Sequence, residues 1–326
     1  YGHFLVAQLS FLSYWAICLV ALLILASAFW VRGVTPSGRE RLSLAKQRLS
    51  GKLGVAMAIS LLLFVAMGSY IFYNTNVQNK FLSPDETTDL QARYEKELKK
   101  YENAPQPRLI AVSVDIDLHP ENQTMQVQGK YTIRNNNPQA LNEIHIQMQD
   151  DKALSSIDLG KAKLSYHDED LGYRIYNLAE PMAPNEQREI NFVLDIGESG
   201  FPNTGSQSQI VENGSFFNSR IMPSFGYNEN YQITDRNERR KRDMGEPQRM
   251  PKLEDEAARA NTYLGNDADW IDFKTTICTA PDQTALAPGY LQKQFSKNGR
   301  NCFSYAMDRP MLNFYAYLSA KWKNKK

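Results

Sequence analysis

Histidine, the side chain most often used as a zinc ligand and as a general base near neutral pH, is rare in this sequence. The chain contains four histidines: His3, His119, His145 and His167. None of them begins an H-E-x-x-H motif, in which two histidines one helical turn apart hold zinc beside a general-base glutamate. His167 opens the acidic turn HDED, and His167, Asp168 and Asp170 have the chemistry of metal ligands. A hydrated acidic turn explains the same residues, and we predict no metal site.

Nucleophilic and phosphate-binding motifs are also missing. Serines and acids are plentiful, but the sequence has no G-x-S-x-G nucleophile elbow and no P-loop. We therefore predict no catalytic residue, no cofactor-binding residue and no cofactor in this chain.

The three cysteines divide between two settings. Cys18 lies in a long apolar run, where a cysteine is usually a small buried apolar side chain. Cys278 and Cys302 lie at the end and the start of two predicted strands, and an oxidising compartment would permit a disulfide between them. Spacing does not fix the geometry, so a bridge and two free thiols both remain open.

Two uncharged apolar runs, residues 4–31 and 53–73, dominate the start of the chain. Each exceeds or matches the roughly 20 residues that cross a bilayer as a helix. A signal peptide would be shorter than the first run, would begin with basic residues and would not be followed by a second span. Residues 1–74 are therefore predicted to hold two transmembrane helices. The near-neutral net charge of +1 argues against a nucleic-acid partner bound by general basicity.

The loop between the spans, residues 32–52, is strongly basic. Its only acid is Glu40, and its basic residues are Arg32, Arg39, Arg41, Lys46, Arg48 and Lys52. The positive-inside rule keeps such a loop in the cytoplasm and places everything after residue 74 outside it. A basic helix that binds anionic lipid is the alternative interpretation. Neither span contains an ionisable residue, so nothing in them indicates transport.

A helical linker is predicted over residues 75–107. Ser83 as N-cap, Pro84 in the first turn and Glu86 three residues after the cap mark a helix start. Leu90, Tyr94, Leu98 and Tyr101 then recur at helical spacing on one face.

From Arg108 onwards the apolar residues alternate with polar ones. The alternation is clearest over residues 109–118, 125–134, 143–149 and 190–196, and further strands are predicted around 173–178, 215–221, 271–279 and 302–308. In this pattern His145 falls on the polar face of its strand. We predict a membrane α-helical segment plus an all-β part, the latter an antiparallel sandwich or saddle over residues 108–321.

Residues 235–260 interrupt the alternation with a dense mixture of charges and two prolines. The basic cluster 239–242 is a weak nucleic-acid signal, and the neighbouring acids offset it. A solvated loop with short helical turns is the prediction.

The order of these features resembles that of a known family. The matching residues are Tyr131 with Asn135 and Asn136, Pro223 with Gly226-Tyr227, and Arg309-Pro310 through Tyr315 and Tyr317. Residues 75–320 resemble the N-terminal saddle domain of aminopeptidase N-like zinc metallopeptidases. With the preceding helix pair, the chain is similar to bacterial membrane proteins in which an ABC-type permease is fused to such a peptidase.

This resemblance implies a fragment of a membrane-anchored zinc metallopeptidase in the bacterial inner membrane, with a periplasmic β domain. The family's G-A-M-E-N loop, H-E-x-x-H helix and third zinc ligand follow the saddle domain, and Lys326 precedes any of them here. Zinc, a peptide substrate, the catalytic domain, upstream permease helices and an ABC ATPase are thus expected of the full-length protein, with membrane lipids around the anchor. A permease subunit whose β domain binds a ligand or partner without catalysis is the alternative, and a structural envelope module is a third.

Overall fold

The computed structural model describes residues 5–30, 33, 37–197, 200–203, 209–248, 251–256, 258–260 and 267–322. His3 and Arg32, both singled out in the sequence, lie outside this described part. The chain forms two compact units: residues 1–81 with 199–206, and residues 82–198 with 207–326. The linker predicted over residues 75–107 is divided between them.

The first unit is helical. Its helices are α1 (Leu5–Phe29), α2 (Gly38–Leu49) and α3 (Lys52–Phe72), and a π-helical turn, Tyr73–Gln78, continues α3. The helix α1, with 25 residues, and the helix from Lys52 to Gln78, with 27, are long and apolar enough to cross a membrane. Their large apolar side chains are mostly exposed, as in Trp15 and Leu62.

Aromatic and small residues hold α1 and α3 together. The Tyr14 ring stacks on Phe64 with centroids 4.3 Å apart, and Gly68 gives the Tyr14 ring room on α3. The Ser60 hydroxyl donates to the Ile17 carbonyl at 3.2 Å. Small and hydroxyl residues of this kind are typical of contacts between apolar helices.

The second unit contains the helix α4 (Pro84–Leu98), a short helix α5 (Arg236–Lys241) and fourteen strands in its described part. The strands are β1 Arg108–His119, β2 Thr124–Arg134, β3 Leu141–Gln147, β4 Leu154–Asp158, β5 Ala162–Asp168, β6 Tyr173–Met182, β7 Gln187–Gly197, β8 Ser215–Asn218, β9 Ser224–Phe225, β10 Ala268–Thr279, β11 Thr284–Leu286, β12 Tyr290–Lys297, β13 Arg300–Ala306 and β14 Ala316–Ala320.

These strands form three sheets. The first has seven strands in the order β12-β13-β10-β1-β2-β7-β4, the second three in the order β11-β14-β8, and the third four in the order β5-β6-β3-β9. The predicted class, apolar helices followed by a β-rich domain, is confirmed. One pairing departs from the antiparallel expectation: β1 runs parallel to β10, with Val114 opposite Thr275.

The alternation seen in the sequence places the main core on one face of the large sheet. Val112, Val114 and Ile116 of β1 are almost completely buried, as are their neighbours Val127 and Ile133 on β2. The intervening polar residues face solvent. One face of the sheet is thus buried and the other exposed to solvent, as the period-two pattern predicts.

The strands that the sequence did not reveal lie mainly at sheet edges or in short pairings: β4, β5, β9, β11, β12 and β14. Nearly every residue of β12 is exposed on both faces. In a strand that buries neither face, apolar and polar residues need not alternate, so its sequence carries no period-two signal.

Candidate functional site: the docked linker helix

The helix α4 begins where local sequence dictates. The Ser83 hydroxyl accepts from the Glu86 backbone N–H at 3.2 Å, and the Ser83 backbone N–H donates to the Glu86 carboxylate at 2.8 Å. This capping box, with Pro84 in the first turn, satisfies N–H groups that have no partner inside the helix. The predicted helix start is therefore confirmed.

One face of α4 packs on the β domain through a group of aromatic side chains, which we call the tyrosine cluster: Tyr94, Tyr101, Tyr173, Tyr227 and Tyr231. The Tyr94 ring stacks on Tyr227 at 5.1 Å, and its hydroxyl accepts from the Asn228 backbone N–H at 2.9 Å. Tyr101 stacks on Tyr173. Burial raises the pKa of Tyr94 and of Tyr173, so both remain neutral hydroxyls.

His145 lies beneath this cluster, fully buried, and not on a solvated strand face as predicted. Its strand β3 is in the middle of the four-stranded sheet, and the tyrosine cluster covers the face that the alternation assigned to solvent. The ring nitrogens lie 2.8 Å from the Tyr173 hydroxyl and 3.0 Å from the Glu143 carboxylate.

The charge state of His145 follows from its burial. A carboxylate only accepts, so Nε2 donates to Glu143, and in the neutral ring Nδ1 then accepts from the Tyr173 hydroxyl. Burial lowers the pKa of His145, although the nearby Glu143 opposes the shift. His145 is therefore a neutral member of the packed interface under ordinary conditions.

A buried ion pair fixes the charged segment to α4. The Arg239 guanidinium donates to both oxygens of Glu95, at 2.7 and 2.8 Å, and both side chains are about 5% exposed or less. Arg239 also donates to the carbonyls of Ile233 and Gly245. Burial by itself would raise the pKa of Glu95, but the hydrogen bonds and charge of Arg239 outweigh it and hold that pKa below its usual range.

This pair corrects the prediction of a solvated loop over residues 235–260. The short helix α5 is present, but its Arg239 is buried. Beside it, Arg242 pairs with Asp89 of α4 at 2.7 Å. Residues 249–250 and 257 of that segment lie outside the described part of the chain.

The three residues considered as metal ligands are engaged with other side chains. The His167 ring donates to Asp151 at 2.7 Å, and Arg174 forms a two-point contact with the same carboxylate. Asp168 pairs with Arg93 of α4, and Asp170 lies 3.8 Å from the same guanidinium. Among the described residues, no three His, Cys, Asp or Glu side chains are grouped to hold a metal.

The Asp151 carboxyl is the centre of that network. Burial would raise the pKa of Asp151, but hydrogen bonds from Arg174 and His167 outweigh burial and lower it. Asp151 is therefore ionised, and its two cationic or polar partners use both of its oxygens.

An open cleft of about 380 Å³ lies between α4 and the end of α5. It is lined by Asp89, Ala92, Arg93, Lys96, Glu97, Arg242 and Asp243. Arg93 is paired with Glu97, and Lys96 donates to the Arg242 carbonyl at 2.7 Å. The lining carries three basic and three acidic side chains, so its formal charges cancel.

Cys278 and Cys302 face each other across β10 and β13. Their sulfurs are 2.09 Å apart, which is a covalent disulfide, and Cys302 is fully buried. Cys18, in α1, is a free thiol.

Two of the residues that carry the family resemblance, Tyr131 and Tyr315, meet in the main core. The Tyr131 hydroxyl lies 3.3 Å from the Tyr315 hydroxyl, and the Tyr131 ring packs 6.2 Å from Phe225. Asn135 is fully buried, and its amide donates to the Gln139 and Met182 carbonyls. These are scaffold contacts, and they tie the second strand to the chain on either side of β10.

The Gly226 turn has a separate structural role. Its φ of +80° is in the left-handed region that favours glycine, and its N–H donates to the His145 carbonyl at 3.0 Å. The turn thereby places Tyr227 in the tyrosine cluster.

The arrangement as a whole positions the helix α4 on the β domain. The apolar stripe of α4 was predictable from the sequence, but Glu95 was not singled out, and Arg239 and His145 were wrongly assigned to solvated positions. A weak signal existed for Glu95, which lies directly after Tyr94 on the edge of the stripe. Nothing local pointed to Arg239, which is 144 residues away in the chain.

Comparisons with known proteins give only distant likenesses. No family model matches the chain, and no curated protein matches it by sequence. The solved M1 zinc metallopeptidase from Deinococcus radiodurans is similar over 65% of this chain and 42% of its own, with 11% identity and a TM-score of 0.40. Aminopeptidase A from Legionella pneumophila, in complex with aspartic acid, is similar over 69% of this chain and 22% of its own, with 15% identity and a TM-score of 0.40. The chain spans less than half of either protein, and at these values the likeness assigns neither family nor activity.

Proposed function

We propose that this chain is the anchoring and N-terminal β portion of a membrane-bound, aminopeptidase-like zinc metallopeptidase. The observation that carries the proposal is the convergence of Tyr131, Phe225 and Tyr315 in one core. These residues lie in or beside the three segments that resemble the saddle domain, and their contacts join the three segments in one core.

In this proposal the chain supplies a scaffold, and the chemistry belongs to another part of the protein. The described residues hold no cluster that fits zinc. Zinc, where bound, supplies a water activated at neutral pH as the nucleophile for peptide hydrolysis. The residues of this chain would hold the β domain in a fixed shape, through the disulfide and the docked α4.

Anchoring by α1 and α3 is the second part of the proposal. Both helices have the length and exposed apolar surface of membrane spans. By the positive-inside rule the basic residues of α2 favour the cytoplasmic side for that helix, and our proposal puts the β domain in the periplasm of a bacterial inner membrane. The Cys278–Cys302 bridge supports an oxidising compartment for the β domain. A permease-like bundle completed by upstream helices, served by an ABC ATPase, is the corresponding proposal for the membrane part.

The decisive test is the complete reading frame and the activity of its product. We expect an H-E-x-x-H sequence after residue 326 and release of N-terminal amino acids from peptides by the purified full-length protein. A chelator should abolish this activity, and added zinc should restore it. A reading frame that stops after Lys326 without that motif would overturn the peptidase proposal.

Reporter fusions test the orientation separately. Alkaline phosphatase, which folds only in an oxidising compartment, should be active when fused after Gln78 and inactive when fused within α2. The opposite pattern would overturn the proposed topology without bearing on the peptidase activity.

A further inference from the structure

The helix α2, between the two long apolar helices, has an apolar strip along one side. With 3.6 residues per turn, Leu42, Ala45 and Leu49 fall on the same narrow face. Ala45 is buried against the neighbouring helices, whereas Leu42 remains 62% exposed. Part of this apolar face is therefore left uncovered within the helical unit.

Basic residues border this strip on both sides. Arg39 and Lys46 lie along one edge of the helix, and Arg41 and Arg48 along the other. Glu40 is the only acid of the helix and lies near the opposite face. An apolar strip between two basic edges is the pattern of a helix that lies at a membrane surface, with long cationic side chains reaching phosphate groups.

Contacts within the unit fix where α2 lies. The Arg48 guanidinium donates to the Ser27 and Ala28 carbonyls at 3.3 and 3.2 Å, and also to the Trp30 carbonyl, at the C-terminal end of α1. The helix ends at Leu49, and α3 begins at Lys52. Since α2 is held at these helix ends, it lies at headgroup depth whenever α1 and α3 cross a bilayer.

From this geometry we propose that α2 is a binding site for anionic phospholipid headgroups, such as phosphatidylglycerol. The inference rests on the proposed membrane anchoring. Each Lys or Arg near an anionic surface strengthens binding by about fivefold. Arg48 is already engaged with α1, so Arg39 and Lys46, both exposed, are the residues that best report on the lipid.

The test uses the full chain, purified in a neutral detergent and titrated with phosphatidylglycerol or phosphatidylcholine. Native mass spectrometry counts the lipids retained. The test variant is Arg39→Gln with Lys46→Gln, and the charge-keeping variant is Arg39→Lys with Lys46→Arg. A matched control, Lys163→Gln with Lys297→Gln, removes the same charge from exposed positions of the β domain.

We expect the chain to prefer phosphatidylglycerol, and the test variant to lose about 25-fold in affinity for it. The charge-keeping variant and the control should bind within about twofold of the parent, and high salt should weaken binding. Equal retention of the two lipids would overturn the inference. This is the result expected if α2 serves only as a topology signal or binds an acidic protein. So would an equal loss in the control variant.

Failure of the underlying anchor has its own signature. If expressed chain is released from membranes by alkaline carbonate, the anchoring proposal fails and the lipid site fails with it. If the chain resists extraction but shows no lipid preference, only the lipid site is refuted.

Discussion

The Glu95–Arg239 pair gives the sharpest prediction about how the charged segment is held. In Glu95→Gln the side chain keeps its size but loses its charge and one acceptor oxygen. One Arg239 N–H would then face an amide N–H₂ group, while the guanidinium remains 5% exposed. Removing one partner of a buried ion pair costs about 3–5 kcal/mol. We expect a value of about 3 kcal/mol, because the Ile233 and Gly245 carbonyls still accept from Arg239.

Limited trypsin digestion of the full chain measures this loss directly. The segment around α5 offers cleavage sites at Arg239, Arg240, Lys241 and Arg242, and cleavage requires the segment to open. Where opening is fast, the cleavage rate follows the population of the open form. A loss of about 3 kcal/mol therefore predicts an increase in rate of roughly one hundredfold at these sites.

A matched control is available on the same segment. Arg236 and Glu246 form an ion pair whose side chains are 61% and 64% exposed. Glu246→Gln makes the same chemical change in solvent, where pairs are worth little, and should raise cleavage by less than about fivefold. Equal cleavage rates for Glu95→Gln and Glu246→Gln would refute the view that the buried pair docks the segment.

Three further predictions concern the stability of the β domain, and urea denaturation of the full chain measures each of them. Because burial lowers the folded-state pKa of His145, the unfolded chain binds its proton more readily, so stability should fall as pH drops below about 6.5; His145→Gln should flatten this dependence, and an unchanged slope would contradict it. Cys278→Ala with Cys302→Ala opens a loop of sequence separation 24 and should cost about 2–4 kcal/mol, an effect that reductant should reproduce in the parent and not in the variant. A Cβ at Gly129 would lie 1.9 Å from the Phe192 ring, so Gly129→Ala should destabilise by about 1–3 kcal/mol, and a neutral result would show that the ring moves freely.

Much of the fold was predictable because its signals are local. Alternation over β1, β2 and β7 arises because each strand has one buried face and one solvent-exposed face. The start of α4 is encoded in the four residues Ser83–Glu86, which form the capping box. Unpatterned edge strands such as β12 escaped detection because they bury neither face.

The candidate site was less predictable because its key residues depend on distant elements. His145 occupies a polar position in its strand pattern, and only the packing of Tyr101 and Tyr173 over it makes that position buried. The turn at His167 and Asp168 contains plausible metal ligands, yet Asp151 and Arg93 draw the two side chains to different partners.

The sequence by itself determined the two apolar helices, the basic character of the loop between them, and the change from helical to strand periodicity near Arg108. These properties depend on residues within one or two turns, or one strand, of each other. Only the tertiary structure decided that β1 runs beside β10, that Cys278 meets Cys302, and that Arg239 reaches Glu95. Such pairings depend on which surfaces meet after the chain has closed long loops, and no local pattern records that outcome.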